Sequence, residues 1–316
     1  MKEAVVECVP NFSEGRDARC IELIVGAMRV EGVHLLDWSK DADHNRSVVT
    51  IAGEPAAVLE SAVRGVGKAV ELIDLTTQEG LHPRIGAADV VPFVPISGIR
   101  LEQCVMLARQ AGLEIWRRFG LPVYFYEAAA SRPDRANLDD VRRGQFEGLR
   151  DAVRKEAARR PDLGGPGLHP TAGACAVGAR KFLVSYNVYF DSTDVSVVRS
   201  IAREVRAAFS GLHGVKALGL MAHGRAQLSM NITDFKATPL SQVYSTVSRL
   251  AIRHKTAPVE GEVVGLIPEE ACERESEWMR QLIEFDDQTK ILERRLAKPL
   301  SWPGEGNSTN TNLVNV

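Results

Sequence analysis

The chain has 316 residues, 45% of them hydrophobic and 25% charged, with a formal net charge of −2. That is the composition of a globular protein with room for one large domain or two ordinary ones. It argues against a nucleic-acid binder, which would carry a strong basic excess, but leaves room for a local basic pocket.

The N-terminus opens MKEAVVECVPN, with acids inside its apolar run, unlike a signal peptide. No apolar run approaches the roughly 20 residues that span a bilayer. Five cysteines (Cys8, Cys20, Cys104, Cys175 and Cys272) are scattered, odd in number and never in a CxxC pair. These features predict a cytoplasmic protein with reduced thiols, no membrane segment and no zinc site.

In chain order, hydrophobic period predicts a strand at Val5–Val9 and a helix at Asp17–Val30, with Ile21, Ile24, Val25 and Met28 on one face. Strands follow at Val33–Trp38 and Ser47–Ala52, then a helix at Pro55–Ile73 and a strand at Asp89–Ile96. A helix at Leu101–Phe119, a strand at Val123–Tyr126 and a polar helix at about Leu138–Arg159 complete the first half. The second half reads as a strand at Phe182–Phe190, a helix at Asp194–Phe209, strands at Val215–Met221 and Ala226–Thr233, a helix at Leu240–Arg253 and a strand at Glu262–Ile267. A long charged helix, Glu269–Ala297, ends it.

Both halves thus run β-α-β-β-α-β. The expected fold class is α+β, two ferredoxin-like subdomains related by duplication, at residues 1–180 and 181–298. Residues 299–316 read as a loose tail. No residue-level repeat accompanies the repeated element order.

The halves differ most between their second helix and last strand. Lys255–Gly261 is short, whereas Asp74–Ala88 is roughly twice as long and contains LTTQEGLHPRIGA. Pro83 fixes its own φ and holds His82 extended, with Gly80 and Gly86 permitting turns on either side. The loop therefore aims His82 and Arg84 in a defined direction, which lifts His82 above an ordinary surface or core histidine as a catalytic candidate.

Other segments carry two readings each. In CVPNFSEGRD, Asn11 and Ser13 either cap the next helix or line a site with Glu14 and Arg16. DADHNRS is either a polar hairpin or a source of Arg46 for a carboxylate and of Asp43 or His44 for proton traffic. RRPDLGGPGLHPTAG is either a linker or a loop whose backbone approaches a ligand. The amide- and hydroxyl-rich face formed by Gln227, Ser229, Asn231, Ser185 and Asn187 suits either a polar cavity or a wet sheet surface.

VPNFSEG, the NR pair ahead of the Ser47–Ala52 strand, LHPRIGAADVVPFVPI, LPVYFYEAA and GARKFLVSYNV together resemble the glutamate formimidoyltransferase family, the formiminotransferase part of formiminotransferase-cyclodeaminase. The likeness runs from about Val5 to Ala297. It implies a homodimeric enzyme of histidine breakdown, with two α/β subdomains and a polar tunnel between them. Such an enzyme moves the formimino group of N-formimino-L-glutamate to N5 of tetrahydrofolate and releases glutamate. Tetrahydrofolate is a co-substrate, and no metal is required.

The family's catalytic histidine falls on His82. Its folate-contacting loop falls on Leu163, Gly164, Gly165, Pro166, Gly167, Leu168, His169, Pro170, Thr171 and Ala172, where His169 departs from the family pattern. Only the tail follows Ala297, so the next step, ammonia release by a cyclodeaminase, is expected of a separate protein.

The chemistry asks for a group that takes a proton from N5 and gives one to the departing glutamate nitrogen, a role suited to His82. A carboxylate beside the reacting carbon would help, with Asp37, Asp43 and Asp89 as unranked candidates. Arg46 and Arg84 are the expected forks for the donor, with Arg180 and Lys181 for the folate. Asn11, Ser13, Asp37, Arg46, Arg84 and Asp89 make up the expected donor site. Formyl transfer from N-formylglutamate, or salvage of 5-formyltetrahydrofolate, is the neighbouring alternative. An RNA-binding module of the same fold lacks its basic face and aromatic strand motif.

Overall fold

The computed structural model describes residues 3–207, 212–222 and 224–303. The chain forms two compact units, one made of residues up to Arg180 with the stretch from Pro299, the other of Lys181–Lys298. The fold is mixed α+β with two sheets. Among the described residues no helix is long and apolar enough to cross a membrane.

The first unit runs β1 (Val5–Cys8), β2 (Asn11–Phe12), α1 (Ala18–Ala27), β3 (Val33–Asp41), β4 (Arg46–Gly53), α2 (Pro55–Leu72) and β5 (Ala88–Ser97). It continues with α3 (Leu101–Phe119), β6 (Val123–Glu127), α4 (Leu138–Val141), α5 (Gln145–Lys155) and β7 (Cys175–Ala179). Both β1 and β2 lie antiparallel between β4 and β5. They are one path interrupted at Pro10, which has no N–H to give the ladder and only accepts from Val49 at 3.0 Å. The sheet order is β3-β4-β1/β2-β5-β7-β6, with β5, β7 and β6 parallel.

Periodicity does not reveal β7. Cys175, Ala176, Val177, Gly178 and Ala179 are all buried, and a parallel strand covered on both faces shows no alternation. On one face, helices α1–α3 bring Ile21, Ile24, Val63, Val66, Ala108 and Ile115 onto Val6, Val91 and Val177. On the other, Val141, Leu149 and Val153 of the α4–α5 segment cover Val90, Tyr124 and Tyr126. The single helix expected over 138–159 is broken after Val141, and Gly144 takes φ 86° before α5 begins. Arg142, at the break, turns inward to pair with Asp89. A tertiary ion pair here overrides helix propensity.

The second unit runs β8 (Val184–Phe190), α6 (Val195–Arg206), β9 (Val215–Ala222), β10 (Arg225–Ile232), α7 (Leu240–Arg253), β11 (Pro258–Val264), α8 (Glu277–Arg280), α9 (Asp287–Lys290) and α10 (Leu292–Ala297). Its antiparallel sheet has the order β11-β8-β10-β9. Tyr186, Val188, Leu228, Met230 and Ile232 face the core. The opposite, polar face is a hydrogen-bonded layer in which Ser185 meets Asn231 at 2.8 Å and Tyr189 donates to Glu262 at 3.0 Å.

The long helix expected over Glu269–Ala297 is instead a 3-10 turn at Glu269–Ala271 followed by three short α-helices. Trp278 is fully buried, edge-on to Tyr186 with ring centroids 5.6 Å apart. Leu282 and Ile291 make bridges to Gly261 and Ile267. Those backbone contacts require extended residues between the helical turns. The stretch read as a tail begins with an anchored segment. Leu300 N–H donates to Leu35 O at 2.8 Å and Trp302 joins the first unit's core, while residues 304–316 lie outside the described residues.

Candidate active site

Four segments of the first unit are tied together around His82. After β2, Ser13 donates its N–H to Ala87 O at 2.9 Å and its hydroxyl to Gly86 O at 2.7 Å. Gly15 donates to Oδ1 of Asn45 at 2.9 Å, and a Cβ on Gly15 would lie 2.0 Å from Asp41 O. Asn45, in the β3–β4 hairpin, takes the left-handed conformation (φ 49°) and donates from Nδ2 to Glu79 O at 2.8 Å. Asparagine is one of the few residues that adopt this shape readily. Finally, Gly86 pairs with Gly173, flanked by Ala87 N–H to Ala172 O and Ala174 N–H to Ile85 O, each 2.9 Å. The stretch before β7 is thus zipped to the His82 loop.

A small hollow is lined by Phe12, Ser13, Asn45, Arg46, His82, Arg84 and Asp89. His82 is half-buried. The Arg46 guanidinium faces it, with Nη1 3.1 Å from Nδ1 and closer to Nε2. Burial, then Arg46, Arg142 and His44, lower the His82 pKa from its ordinary 6.5 to about 2. An imidazole here rests neutral. Burial, with Arg142 close by, also lowers Arg46 to about 10, so Arg46 remains a cation at neutral pH. Its Nε is buried with no hydrogen-bond partner among the described residues.

Several expected site residues are otherwise engaged. Arg84 gives Nε to Gln78 at 2.7 Å, Nη1 to Glu147 at 3.0 Å and Nη2 to Glu147 and to Gln78 O, each at 2.9 Å. With Nη1 also 3.4 Å from Gln145, its five N–H groups are accounted for. Arg84 therefore holds the loop to α5 and presents no free fork to a donor carboxylate. Asp89 accepts from Ile85 N–H at 2.8 Å through Oδ1 and pairs through Oδ2 with Arg142.

Asn11 is buried and donates to Val9 O at 2.6 Å. Neither Asn11 nor Ser13 caps α1; Asp17 does, accepting from the N–H groups of Arg19 and Cys20. Asp37 sits on β3 beside a bulge and does not line the hollow. Arg180 lies near the buried Glu7, whose pKa burial raises to about 7 against the opposing pull of Arg180. Lys181 pairs with Asp234.

The expected folate loop is partly fixed. Leu163 exchanges backbone bonds with Val123 at 3.0 and 3.1 Å, and Thr171 O accepts from Leu75 N–H at 2.8 Å. His169 closes a turn: Nδ1 accepts from Ala172 N–H at 3.0 Å, and its backbone bonds in both directions with Gly173. That gives the unexplained histidine a structural role. Gly165, Pro166 and Pro170 are exposed, and Gly164, Gly165, Pro166, Gly167, Leu168 and Pro170 do not line the hollow.

Arg142, Asn45, Gln78 and Glu147 complete the surroundings of His82 and went unrecognised as site residues. Asn45 alone carried a readable signal, an asparagine at a hairpin position that demands positive φ.

Comparisons with known proteins agree along the chain. Residues 5–180 match the family model of the formiminotransferase domain's N-terminal subdomain, and residues 185–295 match that of the formiminotransferase domain. The glutamate formimidoyltransferase of Streptococcus pyogenes serotype M1 is 42% identical over 295 residues, covering 92% of this chain and 98% of that protein. That of Thermoplasma acidophilum is 41% identical, covering 93% and 98%. The formimidoyltransferase-cyclodeaminase of Gallus gallus is 39% identical over 276 residues, 84% of this chain and 51% of that protein. Matched in both of its units, the chain belongs to the formiminotransferase family.

Proposed function

We propose that the protein is a glutamate formimidoyltransferase of the cytoplasm. It transfers the formimino group of N-formimino-L-glutamate to N5 of tetrahydrofolate, giving 5-formimidoyltetrahydrofolate and L-glutamate in histidine breakdown. The observation that carries this reading is a neutral His82 held against Arg46 in a hollow of the first unit. It stands in a chain 42% identical to a glutamate formimidoyltransferase across 98% of that protein.

Tetrahydrofolate supplies the nucleophilic N5. Arg46 offers its unpartnered Nε to a carboxylate of the donor, the partner a guanidinium suits best. A carboxylate there offsets charge that helps keep His82 unprotonated, so His82 becomes a competent base when the donor is in place. His82 then takes the N5 proton and starts the proton shuttle. Arg84, bound to Glu147 and Gln78, fixes the loop that carries it.

Residues Leu163–Ala172 are proposed to contact the folate. The tie between Gly173 and Gly86 supports this by bringing their C-terminal end to the His82 loop. The same element order in both units, with sheet orders β5-β1-β4-β3 and β11-β8-β10-β9, supports two ferredoxin-like subdomains related by duplication. A homodimer belongs to the same reading. So does a cyclodeaminase that takes the product, which the fused Gallus gallus relative supports.

The test is glutamate release from N-formimino-L-glutamate with tetrahydrofolate, beside folded His82→Ala. Turnover falling by about 10²–10⁴-fold in the variant is expected. Undiminished turnover in the variant would remove His82 from the chemistry. Turnover with N-formylglutamate, and none with the formimino donor, would replace this reading with formyl transfer.

A further inference from the structure

Two histidines stand at this site with opposite neighbours. His82 faces the Arg46 guanidinium, whereas Nδ1 of His44 lies 2.6 Å from Oδ2 of Asp41. The rings are edge to face, centroids 6.4 Å apart and planes at 60°. Asp41 is itself immobilised at the end of β3, with Oδ1 accepting the N–H groups of Asp43 at 2.8 Å and His44 at 2.9 Å. The His44 side chain is 44% exposed, and its Nε2 has no partner among the described residues. The His82 loop is fastened to this same hairpin by Leu81 N–H to Asp43 O at 3.2 Å. A Cβ on Gly80 would lie 2.4 Å from His44 O, so the two histidine-bearing segments approach at backbone contact.

We propose that His44, oriented by Asp41, is a second catalytic residue: the acid that protonates the departing glutamate nitrogen, with His82 as the base. This rests on the formimidoyltransferase reading. His82 takes the N5 proton as the bond from N5 to the formimino carbon forms. His44 gives its Nε2 proton to the glutamate nitrogen as the bond from that nitrogen to the same carbon breaks. The formimino nitrogen keeps its own protons. Solvent then returns a proton to His44 and removes one from His82, so no oxidant, reductant or metal is consumed.

The Asp41 carboxylate holds the His44 ring by its Nδ1, as the aspartate of a catalytic triad does, and leaves Nε2 open to a substrate nitrogen. A base must be empty at rest, and burial together with a guanidinium neighbour keeps His82 so.

The charged groups around His44 are Asp41, Asp43 and Arg46 of its own hairpin and His82 of the facing loop. Arg16 donates to Ala42 O from the turn before α1, with Glu14 beside it. Arg142 and Asp89 stand behind Arg46.

The test compares pH profiles of kcat and KM for wild type, His44→Gln and Asp41→Asn, each checked for folding by circular dichroism. Two donors are used: N-formimino-L-glutamate, and the thioformimidate of 2-mercaptoglutarate, whose sulfur departs as a thiolate without protonation. His44→Gln should lower kcat for the glutamate donor about 100-fold with KM within about 3-fold, and flatten the alkaline limb of the profile. Asp41→Asn should do the same more weakly. With the thioformimidate donor the loss should shrink below about 5-fold.

Equal losses with both donors, a change in KM alone, or an unaltered alkaline limb would overturn the proposal. If wild type does not turn over the thioformimidate donor, the alkaline limb alone decides. A wild type inactive on N-formimino-L-glutamate would overturn the function itself, and the assignment of His44 with it.

Discussion

Nη1 of Arg46 stands 3.1 Å from Nδ1 of His82 and closer still to Nε2, so one cation faces both nitrogens of a single ring. A guanidinium has only N–H groups to offer, which makes the imidazole the acceptor and keeps it neutral. Replacing the cation in Arg46→Gln should raise the His82 pKa from about 2, while burial, its largest cause, keeps it below the ordinary 6.5. Ring ¹⁵N shifts followed by NMR between pH 5 and 7 test this. The wild-type ring should hold one tautomeric state, and the variant should begin to titrate. An unmoved ring would mean that burial alone sets the protonation state.

The same depression links to stability. A group whose folded pKa is lowered contributes stability that is present above its unfolded pKa and lost as pH falls. For His82 the loss begins near 6.5 and continues toward about 2. His82→Gln should therefore gain on wild type as pH drops, by about 2 kcal/mol at pH 5. Thermal unfolding at pH 5 and pH 8 checks the sign, and a difference independent of pH would refute it.

Glu7 works in the other direction. Its folded pKa is raised from 4.5 to about 7 by burial, so its contribution is fully present below about 4.5 and is lost as pH rises through about 7. Wild type should lose roughly 3 kcal/mol across that window relative to Glu7→Gln. Denaturation midpoints measured from pH 4.5 to 7.5 should diverge steadily. Parallel midpoints would show that Arg180 holds the carboxylate ionised.

Two glycines set a steric contrast. A Cβ on Gly86 would lie 2.0 Å from Ala174 O, whereas one on Gly167 would meet nothing within 4 Å. Gly86→Ala should cost about 3 kcal/mol and much of the activity, because backbone must shift beneath His82. Gly167→Ala should leave Tm within about a degree or two. If Leu163–Ala172 contacts the folate, it should raise KM for tetrahydrofolate while leaving KM for the donor alone.

Much of this architecture was readable from pattern. Leu101–Phe119 and Leu240–Arg253 match their expected bounds residue for residue, because each carries an uninterrupted 3.6-residue apolar repeat. The His82 loop announced itself by length and by its glycine and proline punctuation. What stayed hidden depends on distant partners. Arg46 and Arg84 look equivalent in the sequence, and only the arrival of Glu147, 63 residues away, saturates one and leaves the other open. The break at Arg142 follows from an aspartate 53 residues earlier. Strand β7 carries no period because both of its faces are covered.

The Gly86–Gly173 tie also has a consequence for biosynthesis. Strand β7 slots between β5 and β6, two strands that leave the ribosome well before it. Until the nascent chain extends past Ala179, β5 presents an unpaired edge and the His82 loop lacks its clasp. The proposed catalytic centre is therefore among the last parts of the first unit to mature. A stalled or truncated translation product would be inert, and would carry an exposed strand edge of the kind that nucleates aggregation.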